Sequence, residues 1–371
     1  VLQGYSTEGI GVLISAFGVA LIFIAAASRS KKKCNQRIML SIAFVVLVGF
    51  AALRKVTIAY GGGDAWGYVR EFQSSSVLGS GSAFAQLCDL SREPLYQLIM
   101  IVVRTFTENY HLYFVVTYGI IIWGILYFVS NHFRKGYPLW PLIVMFPAYI
   151  HCFNAMRSWM AIAVILVALT KYEKQGPFKY ELYTTAATLI HYSAAVMLLL
   201  PLFAKFFRRC GGIKGKVTIV LLANGVLASA SSILLFLLQN TKYVYYFSLD
   251  PLSFSTVVPL VSIVFLASTV FQSANSAKQV DRSTIQDYTS FGCCLVFAIV
   301  YLGGYRYLNY MMLPEAVLVA MTFHDMRICW RPDHIKRIGV SLVLIALVLL
   351  LAVQNTVSVI KLSSVFPYII G

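Results

Sequence analysis

Charge is scarce in this chain of 371 residues, where Asp, Glu, Lys and Arg together reach only 12% against 59% hydrophobic residues. With a mean hydropathy of +0.76, that composition excludes a water-soluble fold of this length. Polar stretches are short as well, the longest being 60–92, so no soluble domain of useful size is left over. Cysteines number seven, at 34, 88, 152, 210, 293, 294 and 329. They show no metal-ligand spacing and read as packing residues. An internal repeat, the usual mark of a transporter built from paired halves, is missing too.

What is present is a succession of apolar runs of about 16 to 22 residues, each about the length a helix needs to cross a hydrocarbon layer of ~30 Å. The formal charge of +16 does not point to nucleic acid, because the Lys and Arg residues fall in short clusters between those runs, as the positive-inside pattern requires. The first run is longer than a signal-peptide core and no small-residue cleavage site follows it, so it is kept as a helix. Residues 1–371 are therefore expected to form a single integral membrane domain.

Topology follows from the charges. Span 9–28 ends at the cytoplasmic cluster Arg29, Lys31, Lys32, Lys33 and Arg37, and span 38–58 returns outward. That makes 60–92 an external, periplasmic loop, expected to carry a short interfacial helix. From the far end, spans 338–355, 307–326, 285–303, 256–271 and 217–238 alternate between basic clusters. Spans 138–153 and 157–171 set Asn154 to Arg157 at an outer turn. Two segments break the alternation. Stretch 180–204 begins and ends on the cytoplasmic side and is too short for two spans, so it is expected to be a broken helix pair with its tip at His191-Tyr192-Ser193. In 93–129 one of two apolar segments is expected to dip in and return. The fold class is thus an all-α polytopic membrane protein of about ten transmembrane helices plus two partial, re-entrant helices, with both termini outside.

Polar groups within a membrane protein are costly and mark cavities or chemistry. On this topology Arg54, Asp64, Arg92, Glu93, Arg157, His191 and Arg306 converge on the outer face. Guanidinium groups fork onto phosphate oxygens and can stabilise a departing diphosphate, while a hydroxyl nucleophile needs a base such as Asp64 or His191. Each residue has a plainer reading as well. Arg54 can snorkel, Asp64 can end a glycine-rich turn, Arg92-Glu93-Pro94 can start a helix, Arg157 and Arg306 can anchor at the interface, and His191 can be a satisfied buried histidine. Glu315, after Pro314 in mid-span, reads as a local partner or kink relief.

Taken in order, Arg54, Gly63-Asp64, Tyr68, Phe72, Glu93-Pro94-Leu95-Tyr96, Phe153-Asn154-Ala155-Met156-Arg157, Ala161, His191-Tyr192-Ser193-Ala194, Arg306 and Tyr310 resemble the EpsG/Wzy group of O-antigen, capsule and exopolysaccharide polymerases. The resemblance covers about residues 38–315. It departs at Ser158, where the group usually has Gln after the arginine of the Asn-Ala-x-Arg motif.

The resemblance implies a GT-C-like glycosyltransferase of the bacterial inner membrane with a periplasmic active site. It would move the growing glycan from its undecaprenyl-diphosphate carrier to the non-reducing end of a new lipid-linked repeat unit. Donor and acceptor are both lipid-linked oligosaccharides, membrane lipid surrounds the site, and a chain-length regulator protein is a further partner. No cofactor, metal or nucleic acid is implied, and the chain has no Asp-x-Asp pair to hold a nucleotide diphosphate through a metal. His191 and Asp64 are the expected catalytic groups, with Arg157, Arg306 and Arg54 on the diphosphate. Arg92, Glu93, Asn154, Tyr68 and Tyr310 are expected to bind substrate or shape the site. A flippase for lipid-linked oligosaccharide and a membrane O-acyltransferase are the competing readings.

Overall fold

Among the described residues the apolar runs fold as helices. The computed structural model describes residues 9–89, 91–133, 136–209, 218–226, 283–295, 306–328 and 368–370, with isolated positions at 215 and between 342 and 353. Its elements are all helical, apart from one antiparallel bridge between Arg54 and Ile370. The described residues divide into two compact units.

The first unit opens with α1 (Ile10–Arg29) and α2 (Lys33–Ala52). Leu13, Ala16, Phe17, Ala20, Ile24 and Ala27 recur every three or four residues and form the buried stripe of α1. The opposite faces stay apolar and open, as at Ile22 and Val45, an arrangement suited to lipid rather than water. Two short helices follow, α3 (Ala65–Ser74) and α4 (Gly81–Cys88), the latter capped by the Ser80 hydroxyl on the Ala83 N–H. Helix α5 (Pro94–Phe106) starts on a proline whose missing N–H costs nothing in a first turn.

Helix α6 (Tyr110–His132) is capped by Asn109 and packs on α8 (Met156–Gln175). Gly124 permits that approach, since a Cβ there would lie 2.7 Å from the Ala163 carbonyl oxygen. Between them comes α7 (Met145–His151), most of which belongs to this unit. Helix α9 (Pro177–Ile190) packs along α8 and ends at His191, where the backbone turns extended (φ −155°, ψ 116°) before a 3-10 segment, Tyr192–Leu199. Residues 368–370 strap the end of α2: the Lys55 N–H donates to the Ile369 carbonyl at 2.7 Å and the Tyr368 hydroxyl to the Phe50 carbonyl at 2.5 Å.

The second unit contains a 3-10 segment (Trp140–Val144), α10 (Leu200–Arg209), α11 (Ser283–Cys294) and α12 (Arg306–Ile328). Gly292 of α11 meets the Met311 side chain of α12, and Arg208 Nε pairs with Asp287 Oδ2 at 2.5 Å. Pro314 lies inside α12 beside Glu315, which is buried with Oε1 unpartnered.

Among the described residues three helices, α1, α2 and α6, are long and apolar enough to cross a membrane. The expected span 138–153 is instead a 3-10 turn and a short helix, Trp140–His151. The expected span 157–171 lies in α8, which has Arg157 at one end and Lys171, Glu173 and Lys174 at the other. Its uncharged stretch is about 20 Å long at 1.5 Å per residue, short of a full bilayer core. In 93–129, α5 is the short helix and α6 the full-length one. The expected spans 256–271, 338–355 and most of 217–238 lie outside the described residues, as does the second half of 285–303.

Candidate active site

One carboxylate gathers the polar residues of the first unit. Glu93 precedes α5, and its buried side chain sends Oε2 to Arg157 Nη1 and Oε1 to His191 Nδ1, each at 3.0 Å. Three distant segments thus meet: the start of α5, the start of α8 and the break after α9. A second contact ties the same break, with the Tyr192 hydroxyl donating to the Arg92 carbonyl at 2.9 Å. Arg92 itself points its guanidinium at Asp89, 3.4 Å away.

The Arg157 guanidinium lies over the rings of Tyr68 and Tyr96, 5.4 Å from each centroid. Such packing holds a cation in place by its quadrupole attraction. Its Nε is buried without a hydrogen-bond partner, and so is Nε2 of His191. Burial pushes the Glu93 carboxyl toward a higher pKa, but the hydrogen bond from His191 and the charge of Arg157 outweigh it and hold the group below the usual carboxylate range. Glu93 is accordingly an anion at neutral pH. With Nδ1 of His191 donating to it, the lone pair on Nε2 is the free one, as a general base requires.

Behind the arginine lies a partly buried polar layer that sequence reasoning missed. Gln97 donates to Glu71 Oε1 at 2.9 Å and accepts from Gln86 at 2.5 Å. Tyr96 and Tyr113 share a hydroxyl–hydroxyl bond of 2.5 Å, and Phe72 stacks on Tyr113 at 4.6 Å. The spacing of Glu93 and Gln97, four residues apart at a helix start, was the available signal.

Asp64 and Asn154 are also joined. The Asn154 side-chain oxygen accepts from the Asp64 N–H at 2.7 Å, while the Asp64 carboxylate itself is exposed. Gly62 makes this docking possible: its φ is +118°, and a Cβ there would lie 2.7 Å from the Phe153 carbonyl oxygen.

Arg54 is placed differently from the expectation that it holds phosphate. It is wholly buried, its guanidinium packed against the rings of Phe114, Tyr118 and Phe153. Nε donates to the Gly61 carbonyl at 3.0 Å, Nη1 to the Ala51 carbonyl, and Nη2 to the Tyr118 hydroxyl at 2.7 Å and the Phe153 carbonyl at 3.0 Å. These bonds fix the Gly61-to-Asp64 loop against the Phe153-to-Arg157 turn and leave no room for a ligand on this guanidinium.

The other two expected residues lie in the second unit. Arg306 opens α12, and its side chain lies outside the described residues. Tyr310 is buried, its carbonyl accepting from the Tyr288 hydroxyl at 3.1 Å. Among the described residues no group of three or more His, Cys, Asp and Glu side chains is gathered as a metal ion would need.

In comparison with known proteins, residues 11–370 match the EpsG family. No curated protein and no solved structure matches the chain.

Proposed function

Because this chain belongs to the EpsG family, we propose that it polymerises lipid-linked polysaccharide repeat units at the outer face of the bacterial inner membrane, as a multi-spanning glycosyltransferase. The observation that carries the reading is the meeting of Arg157 and His191 on Glu93, which sets an anion-binding group beside an imidazole nitrogen that is buried without a hydrogen-bond partner. Donor and acceptor would both be undecaprenyl-diphosphate-linked oligosaccharides.

The chemistry is a displacement at the anomeric carbon of the donor glycan. An acceptor hydroxyl forms the new C–O bond, and its proton passes to His191 Nε2. The bond from the anomeric carbon to the lipid diphosphate breaks, and its electron pair leaves with the diphosphate. Arg157 neutralises the charge that develops there, since its fork matches phosphate oxygens and its surroundings are partly desolvated. The Asp64 carboxylate, on a loop registered to Asn154, orients the hydroxyl or faces the positive charge on the donor sugar. Arg306 is the second candidate for the diphosphate. The remaining crossings of the ten-helix topology would come from segments beyond α1, α2 and α6.

A flippase would also welcome an anion-binding arginine but has no use for an oriented imidazole. Purified protein with lipid-linked repeat units tests the reading directly. Elongated lipid-linked glycan is expected from the wild type, and loss of about a hundredfold in kcat from both Arg157→Lys, which keeps charge but not the fork, and His191→Ala. Unchanged chain lengths in both variants would overturn it.

A further inference from the structure

The two oxygens of Glu93 are divided between groups with different tasks in the proposed reaction, and that division makes the carboxylate more than a brace. Glu93 and Arg157 cancel each other's charge, which a partly buried guanidinium needs because an unpaired charge there is costly. A diphosphate is a competing acceptor for the same guanidinium, carrying more charge and more oxygens than a carboxylate. When it takes Arg157, Glu93 keeps His191 as its charge partner, and an imidazole facing an otherwise unpaired carboxylate accepts a proton more readily.

Resting on the polymerase reading above, we propose that Glu93 is a donor-operated clasp: it masks Arg157 until a lipid-linked diphosphate arrives and then turns its charge to His191, so that Nε2 becomes an effective base only when the leaving group is seated. Glu93 touches neither substrate and acts through its two partners, so it is a positioning residue. The arrangement suits an enzyme whose acceptor is chemically like its donor, because deprotonation is withheld until the donor diphosphate is bound. The partly buried layer of Gln97, Glu71 and Gln86 supports the same end of the site. It keeps Tyr96, one of the two rings beneath Arg157, on a helix fixed to α3 and α4.

The clasp predicts a split that a merely structural residue would not show. With the full chain in nanodiscs and inorganic pyrophosphate as probe, Glu93→Gln is expected to bind pyrophosphate about tenfold more tightly than wild type, because an anion beside the anion site has gone. Its kcat with lipid-linked repeat units is expected to fall about a hundredfold, while KM for the donor falls rather than rises. Glu93→Asp keeps the charge but withdraws it from both partners, so it is expected to lie between wild type and Glu93→Gln in both quantities. If Glu93→Gln does not fold, the comparison of wild type with Glu93→Asp decides by direction alone. Weaker pyrophosphate binding together with lower kcat, or an unchanged kcat, would overturn the clasp. A wild-type enzyme that fails to elongate lipid-linked units while Glu93→Gln still tightens on pyrophosphate would overturn the polymerase reading and leave the masking of Arg157 standing.

Discussion

Replacing Arg54 by alanine separates scaffolding from catalysis within one cluster of arginines. The Arg54 guanidinium supplies donors to the Gly61, Ala51 and Phe153 carbonyls and to the Tyr118 hydroxyl, at a position with no solvent exposure. If two of those four acceptors stay dry after relaxation, at about 1–3 kcal/mol each, and the ring contacts add about 1 kcal/mol, the loss is about 3–7 kcal/mol. That is a large share of the ~5–15 kcal/mol by which a typical domain is stable. Arg54→Ala is therefore expected to lower the unfolding temperature in detergent, followed by intrinsic fluorescence, and to reduce the amount of protein in the membrane. Arg54→Lys is expected to recover only part of the loss, because an ammonium cannot span acceptors fixed around a planar fork. Arg157→Ala, which leaves Glu93 with His191 as its remaining partner, is expected to lose less stability than Arg54→Ala while losing turnover. An Arg54→Ala protein as stable as wild type but inactive would refute this reasoning and return Arg54 to the diphosphate.

Gly62→Ala is expected to cost about 1–3 kcal/mol, because the new Cβ meets the Phe153 carbonyl at 2.7 Å in a positive-φ backbone; thermal unfolding and loss of turnover would both report it, and Gly67→Ala, with open space around it, is the control. The Glu93 carboxyl is held below its usual range, so its contribution to stability is present above the unfolded value of about 4.3 and is lost as pH falls through the lower folded value. The share of the stability gap between wild type and Glu93→Gln that comes from the Glu93 charge is thus expected to be lost below about pH 4, and a gap that closes near pH 6 would contradict this. For topology, single cysteines at Asp64, Asn154 and His191 in a background lacking native cysteines are expected to label from the periplasm, and those at Lys32, Lys174, Arg209 and Arg331 from the cytoplasm. Labelling of 154 or 191 only from the cytoplasm would separate residues that the proposed site needs together.

What the sequence revealed and what it hid have physical reasons. Apolar length is a local property, so α1, α2 and α6 were legible from composition alone. Helix α8 was legible as apolar but not as the least exposed long helix of its unit, because whether its partner is lipid or protein is decided by packing against α6 and α9. The backbone turns extended at His191, and the reading of 180–204 as a broken helix pair rests on 25 residues lying between two basic clusters. Arg54 misled because composition cannot tell a guanidinium aimed at phosphate from one bonded to backbone carbonyls contributed by segments a hundred residues apart. Glu93 stood out as a residue of interest, but its position between Arg157 and His191 depends on three chain segments meeting, which no local pattern encodes.

The joint between Gly62 and Phe153, locked further by Asn154 on the Asp64 amide and by Arg54 beneath both, constrains how members of the family can be recombined. Each loop has turn hydrogen bonds of its own, but each also packs closely on the other's backbone. A chimera that imports residues 54–68 from a relative without residues 151–157 would place a foreign loop on an unmatched seat, whereas the two segments transplanted together form a portable cassette.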